Sequence, residues 1–533
     1  GLPSYEDCND RDPNSTFTEN DSDCDGIINE EDAFPNEVGE SADSDGDGIG
    51  DNSDICEGGD DSIDDDENGI PDYCDDPGWL SCDADRVMGT ADFQLLGIEE
   101  NESAGTSISY VGDVDGDGLE DILIGTYRYY IPDSYGRVYL VLGSSIVPGE
   151  EFDLANADYV FTSEFENDSL GKSVVGIGDY DGDGLDDILF GADTYQNSVG
   201  RAYLVLGSSL GEDSNISLAD ADTTFYTLSS GQNVGQSISH AGDVNGDGLA
   251  DFLLGQNNEA HLFLGTSTIQ NERHVDSADF TFIGSGITGL GYAVSSAGDI
   301  DGDGLDDLLL AEPYYGTQSR GRVHIVLAAS LGTETTISIE DADYAFTSNY
   351  DVYLGSEVAS AGDVDGDGLD DIIMSSSASD INGQNTGSAY VMLGSTITSG
   401  ASTTFNVYDE ADYAIYGAQA DDALGNSIGP AGDIDGDGLD DFLISAYLSD
   451  YAGYGFGTVY LFSGATLPYL VEGNEINPES SDFKIVGQTD VGGVGIVSKR
   501  SGDMDNDGFD DVMVSSKYAY NYKGFINIFT SCE

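Results

Sequence analysis

Beyond residue 90 the chain is a succession of short apolar runs separated by polar, glycine-rich stretches. One class reads "DILIG", "DILFG", "DFLLG", "DLLLA", "DIIMS", "DFLIS" and "DVMVS". After a variable polar loop comes a second class: "GRVYLVLG", "GRAYLVLG", "EAHLFLG", "GRVHIVL", "GSAYVMLG", "GTVYLFSG" and "GFINIFT". A third opens on Ala-Asp or Ser-Asp, as in "ADYVFTS" at 157, "ADTTFYTL" at 221, "ADYAFTS" at 342 and "SDFKIVG" at 481. A fourth, such as "GKSVVGIGD" or "GNSIGPAGD", leads into an acidic loop. These runs are rich in Val, Ile, Tyr and Phe, are too short for helices, and end in glycine turns, so they predict strands.

The order of the four classes repeats seven times, with the acidic loops starting at Asp113, Asp179, Asp243, Asp299, Asp363, Asp433 and Asp503. Four short strands per unit of about sixty residues predict an all-β, seven-bladed β-propeller with four-stranded blades. A linear solenoid is the alternative, but it needs no closing device. Here "ADFQLLG" at 91–97 is a further copy of the Ala-Asp strand placed before the first acidic loop, and the last unit stops after "GFINIFT" without one. The N-terminal copy is therefore expected to supply the outer strand of the last blade and to close the ring, leaving no raw sheet edge.

The acidic loops follow D-x-D-x-D-G-x-x-D, which sets side-chain oxygens at positions 1, 3, 5 and 9 and the carbonyl of position 7 around a turn permitted by the glycine at position 6. Hard cations with six to eight oxygen ligands suit this set, Ca2+ before Mg2+. The expected ligands are Asp113, Asp115, Asp117, Leu119 and Asp121 in the first loop, and Asp179, Asp181, Asp183, Leu185 and Asp187 in the second. The third uses Asp243, Asn245, Asp247, Leu249 and Asp251, with asparagine as a neutral oxygen donor, and the fourth Asp299, Asp301, Asp303, Leu305 and Asp307. The fifth has Asp363, Asp365, Asp367, Leu369 and Asp371, and the sixth Asp433, Asp435, Asp437, Leu439 and Asp441. The seventh has Asp503, Asp505, Asp507, Phe509 and Asp511. A helix-loop-helix cation site is excluded, because a strand follows each loop at once.

With these loops, the units resemble the FG-GAP repeats of integrin alpha-subunit propellers and their bacterial relatives. The FG position is matched by Leu170-Gly171, Val234-Gly235, Leu290-Gly291, Leu354-Gly355 and Leu424-Gly425. The GAP position is matched by Gly125, Gly191-Ala192, Gly255 and Ala311-Glu312-Pro313, and departs to Ser375, Ser445 and Ser515. The resemblance covers residues 86–530. It implies seven calcium sites in the loops between the first and second strands of each blade, all on one face, with ligands taken on the opposite face.

Residues 1–81 are dense in Asp and Gly and poor in large apolar residues, so they cannot build an ordinary core. They are expected to form a separate arm ahead of a propeller spanning 82–533. The segments at 21, 43 and 64 fit D-x-D-x-[DN]-G-x-x-[DN]-x-x-D and resemble thrombospondin type 3 repeats. Three or more further Ca2+ sites are implied, with ligands Asp21, Asp23, Asp25, Asn29 and Asp32, then Asp43, Asp45, Asp47, Asp51 and Asp54, then Asp64, Asp66, Asn68, Asp72 and Asp75. Cations and disulfides would replace a hydrophobic core there. Six cysteines at 8, 24, 56, 74, 82 and 532 point to an oxidising, extracytoplasmic setting. The expected pairs are Cys8–Cys24 and Cys56–Cys74, by short separation, and Cys82–Cys532, across the ring closure.

Charge sharpens the functional reading. With 104 Asp and Glu against 14 Lys and Arg, the formal net charge of −90 repels nucleic acid and anionic membrane surfaces. There is no run of about eighteen apolar residues, so no membrane insertion is expected. No HExxH or phosphate-cradling loop is present, and the four histidines are scattered, His261 and His324 within repeat strands. Some propellers of this family accompany hydrolase domains, but too few residues lie outside the repeats for one.

The variable loops are rich in tyrosine: Tyr127, Tyr129, Tyr130, Tyr135, Tyr195, Tyr314, Tyr315, Tyr447, Tyr451, Tyr454, Tyr518, Tyr520 and Tyr522. Tyrosine offers a flat apolar body with a polar tip, suited to glycan stacking or protein contact. The expectation is a secreted or cell-surface, calcium-stabilised adhesion or matrix module, not an enzyme, whose partner is an extracellular protein or glycan. Tyr129, Tyr130, Tyr314, Tyr315 and Tyr451 are the first candidates for contact. The alternative is a structural subunit that self-associates into a surface layer or extracellular filament.

Overall fold

The structure, a computed structural model, describes residues 85–88, 91–126, 136–166, 168–400, 402–451, 455–472, 474–487, 493–495, 498–505 and 507–530. All of these fall in the unit Asp83–Cys532. The expected arm with its cation ligands, all six cysteines with their pairings, and Tyr127, Tyr129, Tyr130, Tyr135 and Tyr454 lie outside the described residues.

The strands assemble into seven sheets. In each, the strand before an acidic loop, the strand after it, and the next two form an antiparallel meander. In the second blade these are Ser173–Gly178, Asp187–Ala192, Arg201–Val205 and Thr223–Tyr226. The first strand of each blade lies innermost, beside the first strand of the next. The series returns to its start, with Ser498–Gly502 beside Ala104–Tyr110. The fold is a closed seven-bladed β-propeller.

The N-terminal copy of the Ala-Asp strand closes that ring. Phe93–Leu96 pairs antiparallel with Phe525–Phe529, Phe93 opposite Ile528 and Leu96 opposite Phe525. The Ala-Asp signature has a physical reason in every blade. Its aspartate folds back on the end of the third strand: Asp158 accepts from Leu142 N–H at 2.9 Å, Asp343 from Leu327 N–H at 2.9 Å, and Asp412 from Leu393 N–H at 2.9 Å. In the closing strand Asp92 makes the same contact across the ring junction, accepting from Thr530 N–H at 3.2 Å.

Each blade also carries a short strand that the sequence pattern did not single out. The connection between third and fourth strands reaches back and pairs parallel with the outer strand of the preceding blade, as Asn215–Ser217 does with Tyr159–Thr162. Asp85–Val87 does the same for Phe483–Val486 of the sixth blade, so the N-terminal segment supplies both parts of the missing connection.

The core lies between blades. The second strands are buried on both faces, which is why they read as continuous apolar runs. Ile122 and Ile124 pack with Leu95, Met513 and Ile528, while Leu123 points the other way to Phe161, Ile188 and Phe190. Blades approach closely at the GAP position, where a Cβ on Gly255 would overlap the carbonyl of Gly291 in the next blade. The serines that depart from glycine there use the closeness. Ser375 Oγ donates to Gly425 O at 2.7 Å, and Ser515 Oγ to Gly105 O at 2.8 Å.

Candidate cation-binding loops

Antiparallel alternation places the acidic loops and the third-to-fourth connections on one face of the ring. The position-1 carboxylate folds each loop around itself. Asp113 Oδ1 accepts from the N–H of Gly116 at 2.7 Å and of Asp117 at 3.0 Å, and Oδ2 from Gly118 at 2.9 Å. The same bonds recur at Asp179, with 2.7, 3.1 and 2.9 Å. Gly118 adopts φ 85°, a conformation that disfavours a side chain, as the turn at position 6 requires.

Position 9 opens the second strand, or directly precedes it at Asp121, and is buried. Asp121 Oδ2 accepts from Val114 N–H at 3.0 Å, and Oδ1 from Gly143 N–H, which opens the third-to-fourth connection, at 2.9 Å. These bonds tie the loop, the strand and the neighbouring connection together. Burial pushes the Asp121 carboxyl up to about 7, with repulsion from Asp115 and Asp117 adding to it and the two backbone donors opposing. Asp187, Asp251 and Asp307 are likewise pushed to about 7, Asp371 to about 8 and Asp511 to about 9, all chiefly by burial. Asp441 is raised as well, by burial and by Asp435.

The predicted ligands converge. Carboxylate oxygens of Asp113, Asp115 and Asp121 lie within 4.8 Å of one another, as do those of Asp179, Asp181 and Asp187; of Asp299, Asp301 and Asp303; of Asp363, Asp365 and Asp371; and of Asp433, Asp435 and Asp441. Two ionised carboxylates at that separation repel by about 3 kcal/mol at an effective dielectric of about 20. In the third loop Asn245 keeps the fold, accepting from Asp247 N–H at 2.8 Å, and removes one charge from the set. In the seventh, Asp511 Oδ2 accepts from Met504 N–H at 2.7 Å, whereas Oδ1 is buried and has no hydrogen-bond partner among the described residues. An all-oxygen, mutually repelling, partly desolvated donor set fits a hard divalent cation.

Sequence reasoning missed the residue at position 8, which is acidic in six of the seven loops: Glu120, Asp186, Asp306, Asp370, Asp440 and Asp510, with Ala250 the exception. Asp186 Oδ2 accepts from the N–H of Asp113, the first expected ligand of the preceding blade's loop, at 2.9 Å. The six-fold recurrence was the available signal.

On the opposite face the tyrosines divide. Tyr314, Tyr451, Tyr518, Tyr520 and Tyr522 are exposed. Tyr195 is buried, edge-on to Phe165 with the Arg201 guanidinium 4.1 Å from its ring centroid, and Tyr315 is half-buried with Arg322 at 3.8 Å. His324 is buried, its Nε2 3.1 Å from Glu312 Oε2, which also holds Arg322.

Four stretches, residues 104–141, 290–326, 354–392 and 424–462, match the FG-GAP repeat family. In these repeats the β-propeller is similar in sequence to integrin alpha subunits. Integrin alpha pat-2 of Caenorhabditis elegans is 30% identical over 240 residues, covering 41% of this chain and 19% of that protein. Integrin alpha-V of Gallus gallus is 26% identical over 227 residues, covering 40% and 20%. A phosphatidylinositol-glycan-specific phospholipase D of Bos taurus is 29% identical over 153 residues, covering 27% and 17%. The chain thus spans about a fifth of the length of the curated relatives it matches. Among the described residues, no helix is long and apolar enough to cross a membrane.

Proposed function

We propose that this FG-GAP propeller is an extracellular adhesion module, a binding protein and not an enzyme. Calcium in the seven acidic loops rigidifies one face, and a protein or glycan ligand docks on the other. One observation carries the reading: exposed apolar surface is concentrated on a single face. Of the large apolar side chains exposed among the described residues, Val147, Tyr469 and Phe509 lie on the acidic-loop face. Phe165, Leu228, Ile287, Tyr292, Tyr314, Tyr350, Tyr353, Leu448, Tyr451, Tyr518, Tyr520 and Tyr522 belong to the loops of the opposite face, and Ile283 ends the outer strand Phe280–Ile283. A soluble surface seldom gathers such residues without a partner. Tyr292, Tyr314 and Tyr353 form a chain of edge-on rings at 5.7 Å spacings, a preformed aromatic platform.

In this reading residues 1–81 are a calcium-binding arm. A glycan and matrix-protein array probed with the full chain in calcium tests the proposal. Combined alanine substitution of Tyr314, Tyr353 and Tyr451 is expected to abolish binding while leaving the calcium-dependent melting temperature unchanged. Binding that survives these changes but fails on deletion of residues 1–76 would move the functional surface to the arm.

A further inference from the structure

The seven acidic loops touch. Wherever one loop ends, residues 7 and 8 of the next loop lie against its beginning. At three junctions, Asp113 with Asp186, Asp299 with Asp370 and Asp363 with Asp440, position 8 carries two bonds to the neighbour. Its carboxylate accepts the N–H of the neighbour's position-1 aspartate: Asp113 to Asp186 at 2.9 Å, Asp243 to Asp306 at 2.9 Å, Asp299 to Asp370 at 2.7 Å and Asp363 to Asp440 at 2.9 Å. Its own N–H returns a bond to the carbonyl of the same aspartate, from Asp370 to Asp299 at 3.1 Å and from Asp440 to Asp363 at 3.1 Å.

The glycine before each position 1 makes room for this contact. A Cβ on Gly112, Gly242, Gly298, Gly362, Gly432 or Gly502 would overlap the carboxylate of Asp186, Asp306, Asp370, Asp440, Asp510 or Glu120 in turn. The last of these joins the seventh blade to the first. One junction differs: between the second and third blades, Gly178 faces the Cβ of Ala250, and only the backbone bond from Ala250 N–H to Asp179 O, at 3.0 Å, remains.

We propose that position 8 is a positioning residue which couples each cation loop to the loop before it, and that Ala250 weakens this coupling at the junction between the loops of Asp179 and Asp243. The inference rests on the cation reading above. Position 8 is flanked by two of the expected ligands of its own loop, the carbonyl of position 7 and the carboxylate of position 9. Fixing those two atoms fixes the residue between them. That residue in turn holds the first ligand of the preceding loop by its main chain. Loop order therefore passes from one blade to the one before it, and by thermodynamic reciprocity the affinity gain is shared in both directions. At Ala250 the carboxylate half of the latch is missing, so the loop of Asp179 gains less from its neighbour than the other loops do.

Hydrogen exchange of the full chain, followed peptide by peptide against free Ca2+, reads each loop separately. In Asp370→Ala the calcium midpoint for protection of the preceding loop, residues 298–308, is expected to rise about tenfold, the scale of one hydrogen bond to a carboxylate. The distant loop at 112–122 should keep its midpoint. Ala250→Asp, which adds a latch and removes nothing, is expected to lower the midpoint of residues 178–188 and serves as the arm free of any folding defect. Protection that responds to calcium but shows neither shift would overturn the coupling alone. Loops whose protection ignores calcium in the unsubstituted protein would overturn the cation reading and the coupling with it.

Discussion

Chelating divalent cations should make the stability of this propeller depend on pH with an unusual sign. The position-9 carboxyls of Asp121, Asp187, Asp251 and Asp307 are raised from 3.8 to about 7 by burial. A carboxyl whose folded value lies above its unfolded value is tolerated by the fold when protonated and costs free energy when ionised. Stability is therefore greatest below about pH 4 on this account, and falls as pH rises to about 7. A shift of about three units costs about 4 kcal/mol per loop at most. With an unfolding entropy of about 2.1 cal/mol/K per residue over about 450 residues, each ionised loop lowers Tm by about 4 °C. The assay is calorimetry of chelator-treated protein between pH 5 and pH 8.5 in about 1 M monovalent salt, where a Debye length of about 3 Å screens the surface charge and leaves the buried carboxylates. Tm should fall across that window without cation and stay level with saturating Ca2+. A cation-free Tm that is flat or rises with pH would refute the reasoning.

Further predictions follow from packing. Leu95→Ala, in the closing strand where the side chain is fully buried, should cost about 2–5 kcal/mol in denaturant unfolding, although it lies over four hundred residues from its pairing partners. Gly255→Ala forces a methyl onto the Gly291 carbonyl of the next blade and should cost about 3 kcal/mol, whereas Ser375→Ala loses its bond to Gly425 and a longer one shared with Ser356 Oγ and should cost about 1 kcal/mol. Glu312→Ala strips the buried Arg322 and His324 of a shared partner and should destabilise by about 3 kcal/mol, seen as a lower urea midpoint.

Most of the ring was legible because its strands are buried on both faces and must be continuously apolar, as in "DILIG" and "YLVLG". The closing strand was legible from one displaced repeat, and the Asp92 bond to Thr530 shows why its Ala-Asp prefix travelled with it. The parallel edge strands escaped notice because segments such as Glu151–Asp153 are three residues long and mostly exposed. Their register comes from the neighbouring blade and not from their own pattern. Position 8 escaped for a different reason. An aspartate beside metal-ligand aspartates reads as one more solvated charge, and only the adjacency of Asp186 to Asp113 across blades reveals its partner. Likewise Tyr195 and Tyr315 looked like loop-tip contacts, but the arginines that open the following third strands, Arg201 and Arg322, stack over them.

The central claim is that seven acidic loops on one face are cation sites built from positions 1, 3, 5, 7 and 9. Anomalous diffraction from crystals of the full chain grown with a calcium-mimicking lanthanide tests it most directly. The account predicts a peak in every propeller loop, within about 2.5 Å of the ligand oxygens, including the loop in which Asn245 replaces aspartate. Ordered propeller loops without peaks, or peaks confined to the opposite, tyrosine-bearing face, would contradict it.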